Sequence, residues 1–316
     1  MVSQLILFSN MRLPRRDTDS ESPPLGRYSN VSGRRLWLER SGDGRPTAVF
    51  IPGAGALGLD YLMSHLQVAE LTGSVIYDRA GTGWSEDADL PRTLVEVTDE
   101  LHDLLKLIGG PPPYIFIGHS LGGAYVHRYA QRFPDEIGAL LQIEPLHPDW
   151  DSFMPDHLKL AANQTSEWAI PEFSEELRTF ARAQLESGMF KAFPSALRET
   201  LINRHISPER LLVGIKEGLN VLTIMDELRA GGPLPDVPVV VLSGTAIGPE
   251  QTAFHSEANL REQIAGSQRL FDAVAASAAR GEHRSLPDAS HVSIPMTRPD
   301  AVADAVKDLI DRLSKR

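Results

Sequence analysis

Residues Gly118-His119-Ser120-Leu121-Gly122-Gly123 directly follow the apolar run Tyr114-Ile115-Phe116-Ile117. This pattern predicts a buried strand, a sharp Gly-x-Ser-x-Gly turn and the first residues of a helix. Such a turn holds the serine hydroxyl away from the backbone, where a neighbouring base can take its proton. The stretch therefore predicts that Ser120 is a nucleophile in a fold that alternates strands and helices.

The composition is that of a globular protein, because 42% of the 316 residues are hydrophobic and 23% are charged. The net charge of −11 disfavours nucleic acids and anionic membranes as partners. The chain has no cysteine, which excludes disulfides, thiolate metal ligands and a cysteine nucleophile. Its start, Met1 to Phe8, lacks the basic residues and the long apolar core of a signal peptide, so we expect a cytoplasmic protein.

Short apolar segments alternate with helical periodicity along most of the chain. The predicted strands include Leu36–Leu38, Ala48–Ile51, Ser74–Tyr77, Tyr114–Ile117, Ala139–Ile143 and Val237–Leu242. Apolar residues at helical spacing predict a helix over 94–108, capped by Gly109. A last helix is predicted to begin near Thr297, whose side chain would cap it, with Asp300 three residues further on. Fully apolar strands between helices predict a mostly parallel sheet that is covered on both faces.

Residues 146–232 interrupt this alternation, since they contain no strand-like segment. Helical periodicity predicts one helix around Phe173 to Leu185 and a longer one from Leu211 to Met225. A helical block between two strands predicts a cap over the carboxyl edge of the sheet, where open α/β sheets bind ligands. We therefore divide the chain into an irregular leader (1–24), a core (25–145 and 233–316) and a helical cap (146–232).

The base that a serine nucleophile requires is predicted to be His291. It lies after the last predicted strand and before the final helix, so the serine precedes the histidine in the chain. Two other histidines receive different interpretations. His119, inside the turn, is predicted to pack or to shape the pocket, and His283 is predicted to be structural.

Four motifs together resemble the α/β-hydrolase superfamily: Ile51–Gly55, Tyr77–Ser85, the serine turn and Ser290-His291. The resemblance covers about residues 30–145 and 236–313. In this core the chain looks like the esterase-like and proline-iminopeptidase-like members. It implies an α/β-hydrolase fold, a mostly parallel central sheet flanked by helices, with a helical cap inserted after the sixth strand. It also implies a small-molecule substrate and a reaction that needs no metal or cofactor.

The same resemblance implies an oxyanion hole. Its two donors would be the backbone N–H groups of Ala54 and Leu121. This chain has Pro52 where a histidine commonly precedes the glycine. Asp78 and Arg79, in the glycine-rich turn, are interpreted as residues that hold the loop rather than as chemical groups.

The third member of the triad is predicted to be Glu144. Most superfamily members place an aspartate after strand seven, but residues 245–248 contain no carboxylate. Haloalkane dehalogenases and some lactonases instead place the acid at the end of strand six, and Glu144 directly follows that strand here. Glu250 and Asp149 remain alternatives.

These residues favour a serine hydrolase that cleaves a carboxylic ester or lactone through an acyl-enzyme. A serine at position 120 argues against dehalogenase and epoxide-hydrolase chemistry, which uses a carboxylate nucleophile in this fold. A medium-sized hydrophobic substrate is expected, because aromatic residues are frequent in the cap region: Trp150, Phe153, Trp168, Phe173, Phe180, Phe190 and Phe193. The alternatives are a thioesterase or amidase, an aminopeptidase that binds a free amine through Glu172, Glu175 and Glu176, and a hydrolase-fold lyase or binding protein. The sequence leaves the oligomeric state open.

Overall fold

The computed structural model describes residues 22–108, 110–163, 174–252 and 255–315. Its centre is an eight-stranded sheet in the order β1-β2-β4-β3-β5-β6-β7-β8. The strands are β1 (Arg27–Val31), β2 (Arg34–Ser41), β3 (Thr47–Ile51), β4 (Ser74–Tyr77), β5 (Tyr114–His119), β6 (Ile137–Ile143), β7 (Val239–Gly244) and β8 (Gly281–Leu286). From β4 to β8 all neighbours are parallel, whereas β2 pairs antiparallel with both β1 and β4.

Twelve α-helices lie among the described residues. They are α1 (Leu62–Ala69), α2 (Leu94–Leu107), α3 (Leu121–Arg132), α4 (Trp150–Phe153), α5 (Glu175–Gln184), α6 (Ser195–His205), α7 (Pro208–Gly218), α8 (Val221–Ala230), α9 (Pro249–Thr252), α10 (Glu257–Ser277), α11 (Ile294–Thr297) and α12 (Pro299–Ser314). None of them is long and apolar enough to cross a membrane.

Alternate residues of the central strands pack into two separate cores. In β3, Val49 and Ile51 join the core that contains residues of α2, α3, α8 and α10. Ala48 and Phe50 point to the opposite face and pack with residues of α12. Every residue of β3 to β7 is buried, since helices cover both faces of the sheet. The predicted α/β-hydrolase fold with a mostly parallel sheet is thus confirmed.

The chain order of the parallel strands reverses beside β5, since β3 lies on one side of it and β6 on the other. Ligands of open α/β sheets bind in the crevice at such a switch point, outside the carboxyl ends of the strands. The segments that follow β3, β4, β5, β6 and β7 all begin at this edge. Helices α4 to α8 lie between β6 and β7, where the sequence places the cap.

One helix prediction and one capping prediction were wrong. The periodicity from Leu211 to Met225 belongs to two helices, because α7 ends at Gly218 and α8 begins at Val221. The last helix does begin near Thr297, but Thr297 does not cap it. Its Oγ1 donates to the C=O of Ser293, the residue before the short helix α11, and α12 begins at Pro299, a residue type suited to the first turn. Gly109, Trp168, Glu172, Phe173 and the first 21 residues lie outside the described residues.

Candidate active site

The turn after β5 holds Ser120 in a backbone conformation that side chains seldom adopt, with φ of +55° and ψ of −121°. Backbone bonds fix this strained residue: its N–H donates to Ile143 (3.0 Å), and its C=O accepts from Gly123 (2.9 Å) and Leu146 (2.8 Å). Gly122 has no room for a side chain, since a Cβ would lie 2.0 Å from the carbonyl oxygen of Ile51. The turn therefore presents Ser120 at the carboxyl edge of the sheet.

The structure brings Glu144 and His291 together. Glu144 Oε2 accepts a hydrogen bond from His291 Nδ1 at 2.6 Å, and Glu144 Oε1 accepts from the N–H of Gly244 at 2.5 Å. With its proton on Nδ1, His291 keeps Nε2 free to accept a proton. Glu144 is the residue that directly follows β6, whereas Gly244 ends β7. The last residue of β7 thus orients Glu144, the carboxylate that follows the neighbouring strand β6.

The alternative acids lie elsewhere or are not described. The Asp149 carboxylate is half exposed and lies 3.8 Å from Nδ1 of another histidine, His147. The side chain of Glu250 lies outside the described residues, although its backbone belongs to α9. Among the carboxylates whose side chains the structure describes, Glu144 is the one bonded to His291.

Two peptide N–H groups beside Ser120, those of Ala54 and Leu121, have no protein acceptor within the described part of the chain. In a trans peptide the C=O and the N–H point in opposite directions. The C=O of Gly53 accepts from Arg79 Nη2 at 3.0 Å, which aims the N–H of Ala54 away from Arg79. The C=O of Ser120 is bonded as described above, which likewise turns the N–H of Leu121 outward. In each of these two peptides, the hydrogen-bonded C=O group fixes the direction of the N–H group.

Arg79 connects the loop after β3 to helix α7. Its side chain is only 1% exposed, and it donates to the carbonyl oxygens of Pro52 (2.6 Å) and Gly53 (3.0 Å). It also donates to Glu217 Oε1 at 2.7 and 3.1 Å, while Glu217 Oε2 accepts from the N–H of Gly55 at 2.8 Å. One buried ion pair therefore holds both sides of the Gly53–Gly55 loop.

Asp78 holds the neighbouring turn. Its carboxylate accepts from the N–H groups of Gly58 (2.7 Å) and Trp84 (2.8 Å). A Cβ on Gly83 would lie 1.8 Å from Asp78 Oδ2, so only glycine fits there. Complete burial raises the pKa of Asp78, against the effect of these two backbone donors. The contacts of Asp78 and Arg79 are those that the sequence interpretation expects of loop-holding residues.

A chain of hydrogen bonds runs from the loop after β3 to the segment that carries His291. The N–H of Gly53 donates to Tyr61 Oη at 3.1 Å. His119 carries its proton on Nε2 and donates to the C=O of His291 (2.9 Å), because a carbonyl oxygen can only accept. Nδ1 of the neutral His119 ring is therefore an acceptor, and the Tyr61 hydroxyl donates to it (2.6 Å). Burial, with a smaller effect of nearby His291, lowers the pKa of His119 to about 3, so the ring stays neutral. His119 is thereby a link between two loops.

Sequence reasoning did not identify Tyr61 or Glu217. Glu217 lies 138 residues from Arg79, and no local pattern joins them. A usable signal existed, because a buried arginine requires a carboxylate partner.

His283, in β8, bonds to Asp272 and Ser243 (both 2.7 Å) and contacts neither Ser120 nor Glu144.

The geometry contains no metal centre, since no group of three or more His, Cys, Asp or Glu within the described ranges could hold a metal ion. At this edge of the sheet lie Ser120, the bonded pair of His291 and Glu144, and the N–H groups of Ala54 and Leu121. The arrangement can activate a hydroxyl and stabilise an oxyanion.

Comparison with known proteins agrees with this fold. The Bacillus subtilis (strain 168) protein YbdG is 31% identical over 121 residues, which are 38% of this chain and 37% of YbdG. Among solved structures, the epoxide hydrolase CorEH superposes with a TM-score of 0.66 at 17% identity, covering 92% of this chain and 99% of that one. A thermophilic esterase from Thermogutta terrifontis gives a TM-score of 0.60 at 16% identity, with 92% and 99% covered. The model of the alpha/beta hydrolase family matches residues 48–305, and this chain belongs to that family.

Proposed function

We propose that this protein hydrolyses carboxylic esters or lactones through an acyl-enzyme. The observation that carries the proposal is the geometry of Glu144: one oxygen bonds His291 at 2.6 Å and the other is fixed by the N–H of Gly244. A histidine held in this tautomer is a base, and the strained turn offers Ser120 as its partner.

In the proposed mechanism, Ser120 Oγ attacks the carbonyl carbon while His291 Nε2 takes the hydroxyl proton. The N–H groups of Ala54 and Leu121 donate to the oxyanion that forms. His291 then gives its proton to the leaving alkoxide, which departs as an alcohol. Water, deprotonated by His291, attacks the acyl carbon, and the acid leaves as Ser120 regains its proton.

The apolar residues beside Glu144 and His291 support a hydrophobic substrate. A small cavity next to Glu144 and His291 is lined by Pro145, Leu146, Trp150 and Leu160, with Gln263 as its other polar residue. Burying an apolar acyl or alcohol group against these apolar side chains is favourable, by roughly 25 cal/mol per Å² of surface removed from water.

The aminopeptidase alternative receives less support. Glu175 and Glu176 are exposed in the first turn of α5, where carboxylates stabilise a helix without any ligand. Glu175 also lies 3.9 Å from Arg178 Nε. A site for a free amine would require buried carboxylates that face the reaction centre.

The test is turnover of p-nitrophenyl esters of increasing acyl length and of matching lactones, combined with fluorophosphonate labelling. We expect labelling in the wild type and none in Ser120→Ala, whose kcat should fall by roughly 10⁴-fold or more. Glu144→Ala should lose about 10³- to 10⁴-fold in kcat. The exposed Glu70→Ala serves as the control and should behave as wild type.

The outcomes discriminate between the candidates. An unlabelled, folded wild type would refute the serine mechanism. Full activity in Glu144→Ala with loss in Asp149→Ala or Glu250→Gln would reassign the acid. Faster turnover of aminoacyl anilides than of aryl esters would favour the aminopeptidase.

A further inference from the structure

Gly53 is the flexible point of the loop that carries the N–H of Ala54. Because a glycine has no Cβ, the peptides on either side of it rotate more freely than those beside other residues. A Cβ on Gly53 would lie 3.2 Å from Cβ of Ser120, so the close approach to the nucleophile favours glycine here. The direction of the Ala54 N–H therefore depends on the hydrogen bonds that hold the peptides next to Gly53.

Buried side chains hold both of these peptides. Arg79 donates to the C=O of Pro52 and to the C=O of Gly53, which fixes one side of each peptide. The other side of the Pro52–Gly53 peptide is the N–H of Gly53, which donates to Tyr61 Oη at 3.1 Å. Without the Tyr61 hydroxyl, this peptide would be held from its C=O side only.

His291 is also held at two points. Its ring donates from Nδ1 to Glu144, and its backbone C=O accepts from His119 Nε2 at 2.9 Å. His119 is the last residue of β5 and directly precedes Ser120 in the chain. The residue next to the nucleophile thus fixes the backbone from which the base projects.

The Tyr61 hydroxyl joins the two sides, because it donates to His119 Nδ1 at 2.6 Å. Both side chains are buried, with exposures of 0% and 4%. Burial raises the pKa of Tyr61 and lowers the pKa of His119 to about 3, so the hydroxyl keeps its proton and the ring stays neutral. The chain of bonds from Gly53 to His291 therefore persists around neutral pH.

We propose that Tyr61 and His119 are positioning residues for the reaction. Together they set the spacing between the N–H of Ala54 and the ring of His291, and each acts through the backbone of another residue. The inference rests on the proposed serine mechanism, in which the oxyanion donor and the base act on one tetrahedral intermediate. A misplacement of about 1 Å between such groups can cost about 10²-fold in rate.

The experiment measures kcat and KM for p-nitrophenyl butyrate in Tyr61→Phe and His119→Leu. We expect kcat to fall by about 10- to 100-fold in each variant. KM should change by less than about threefold, because acylation and deacylation both need the two groups and both become slower. The double variant should lose little more than the worse single variant, since both changes break the same chain of bonds.

His119→Gln separates positioning from packing. A carboxamide also accepts at one atom and donates at the other, so it can bond both Tyr61 and the C=O of His291. It should recover most of the kcat that is lost in His119→Leu.

Tyr114→Phe is the matched control, because Tyr114 is the first residue of β5 and His119 is the last. The Tyr114 hydroxyl donates to the C=O of Gly110, so its removal also breaks one hydrogen bond of a buried tyrosine. This variant should melt at a lower temperature than the wild type and keep the wild-type kcat.

Thermal melting identifies a variant that does not fold, and Tyr61→Phe then carries the test against Tyr114→Phe. The inference is overturned if folded Tyr61→Phe or His119→Leu keeps the kcat of Tyr114→Phe. It is also overturned if His119→Gln is no more active than His119→Leu. A wild type that neither hydrolyses the ester nor is labelled by a fluorophosphonate would instead refute the proposed function, and the positioning role with it.

Discussion

Replacing Glu217 by alanine leaves the guanidinium of Arg79 buried without its carboxylate. The side chains are 1% and 3% exposed, so bulk water does not solvate the guanidinium in place of the lost partner. Arg79 would lose two of its four side-chain hydrogen bonds and keep those to Pro52 and Gly53, while the N–H of Gly55 would lose its acceptor. Breaking a buried pair by removing one partner costs about 3–5 kcal/mol. That is a large part of the roughly 5–15 kcal/mol by which domains are stable.

The assay for Glu217→Ala is urea unfolding at pH 7. Asp311→Asn is the matched control, since its pair with Lys307 (3.1 Å) is more than half exposed on both sides and should contribute at most about 1 kcal/mol. A loss below about 1 kcal/mol in Glu217→Ala would refute the reasoning.

A double variant separates stability from positioning. Replacing the pair by apolar residues, Arg79→Met with Glu217→Leu, should restore much of the free energy of unfolding, because no charge is left buried. It should not restore activity, since the C=O of Gly53 then keeps only the 3.3 Å bond from the N–H of Ala56 and the N–H of Ala54 is less firmly aimed. Under the proposed mechanism, loss of one oxyanion donor lowers kcat by about 10²- to 10³-fold. Wild-type kcat in a folded double variant would show that Arg79 is structural only.

Three other changes test the geometry of the site. Gly83→Ala, whose Cβ would overlap Asp78, should lower the free energy of unfolding by about 3 kcal/mol or more. Gly33→Ala, also at positive φ but with open space around it, should lower it by about 1 kcal/mol. Both are measured by urea unfolding, and equal losses would contradict the packing argument. Tyr61→Phe leaves the N–H of Gly53 and the ring of His119 without their shared partner, and it should cost about 1–3 kcal/mol in the same assay; an unchanged midpoint would contradict it. The pKa of His119 is about 3 in the fold and about 6.5 in the unfolded chain, so below pH 6.5 the unfolded state binds a proton that the fold excludes. This difference in proton binding should lower the free energy of unfolding by about 1.4 kcal/mol per pH unit as the pH drops from 6.5 towards 3. In His119→Gln, the slope of the unfolding free energy against pH, measured from pH 7 to 4, should be smaller by about 1.4 kcal/mol per pH unit below pH 6.5. An unaltered slope would show that His119 titrates normally.

The local parts of the site could be read from the sequence, because each depends on a few consecutive residues. The strand, turn and helix around Ser120 are one such case. Glu144 is another, since it follows directly on an apolar strand. The partners of these groups could not be predicted, because they lie far away in the chain: Gly244 fixes Glu144 across 100 residues. Tertiary contacts of that kind depend on the register of the whole sheet.

The helix errors have local causes. Apolar spacing continues from α7 into α8 without a change of period, so periodicity alone could not show the break. The turn residues Gly218 and Asn220 mark it, and they are the stronger local signal. At the last helix, the capping pattern at Thr297 competed with a proline two residues on, and the proline marked the true start.

The position of Glu144 has a consequence for how this protein can change. Under the proposed mechanism the acid follows β6, so β7 needs to supply only one peptide N–H, that of its last residue Gly244. Under that mechanism, the side chains of residues 245–248 take no part in the reaction. This segment is therefore a place where insertions, or a loop grafted from another hydrolase, could reshape the rim of the pocket and leave the reacting groups in position.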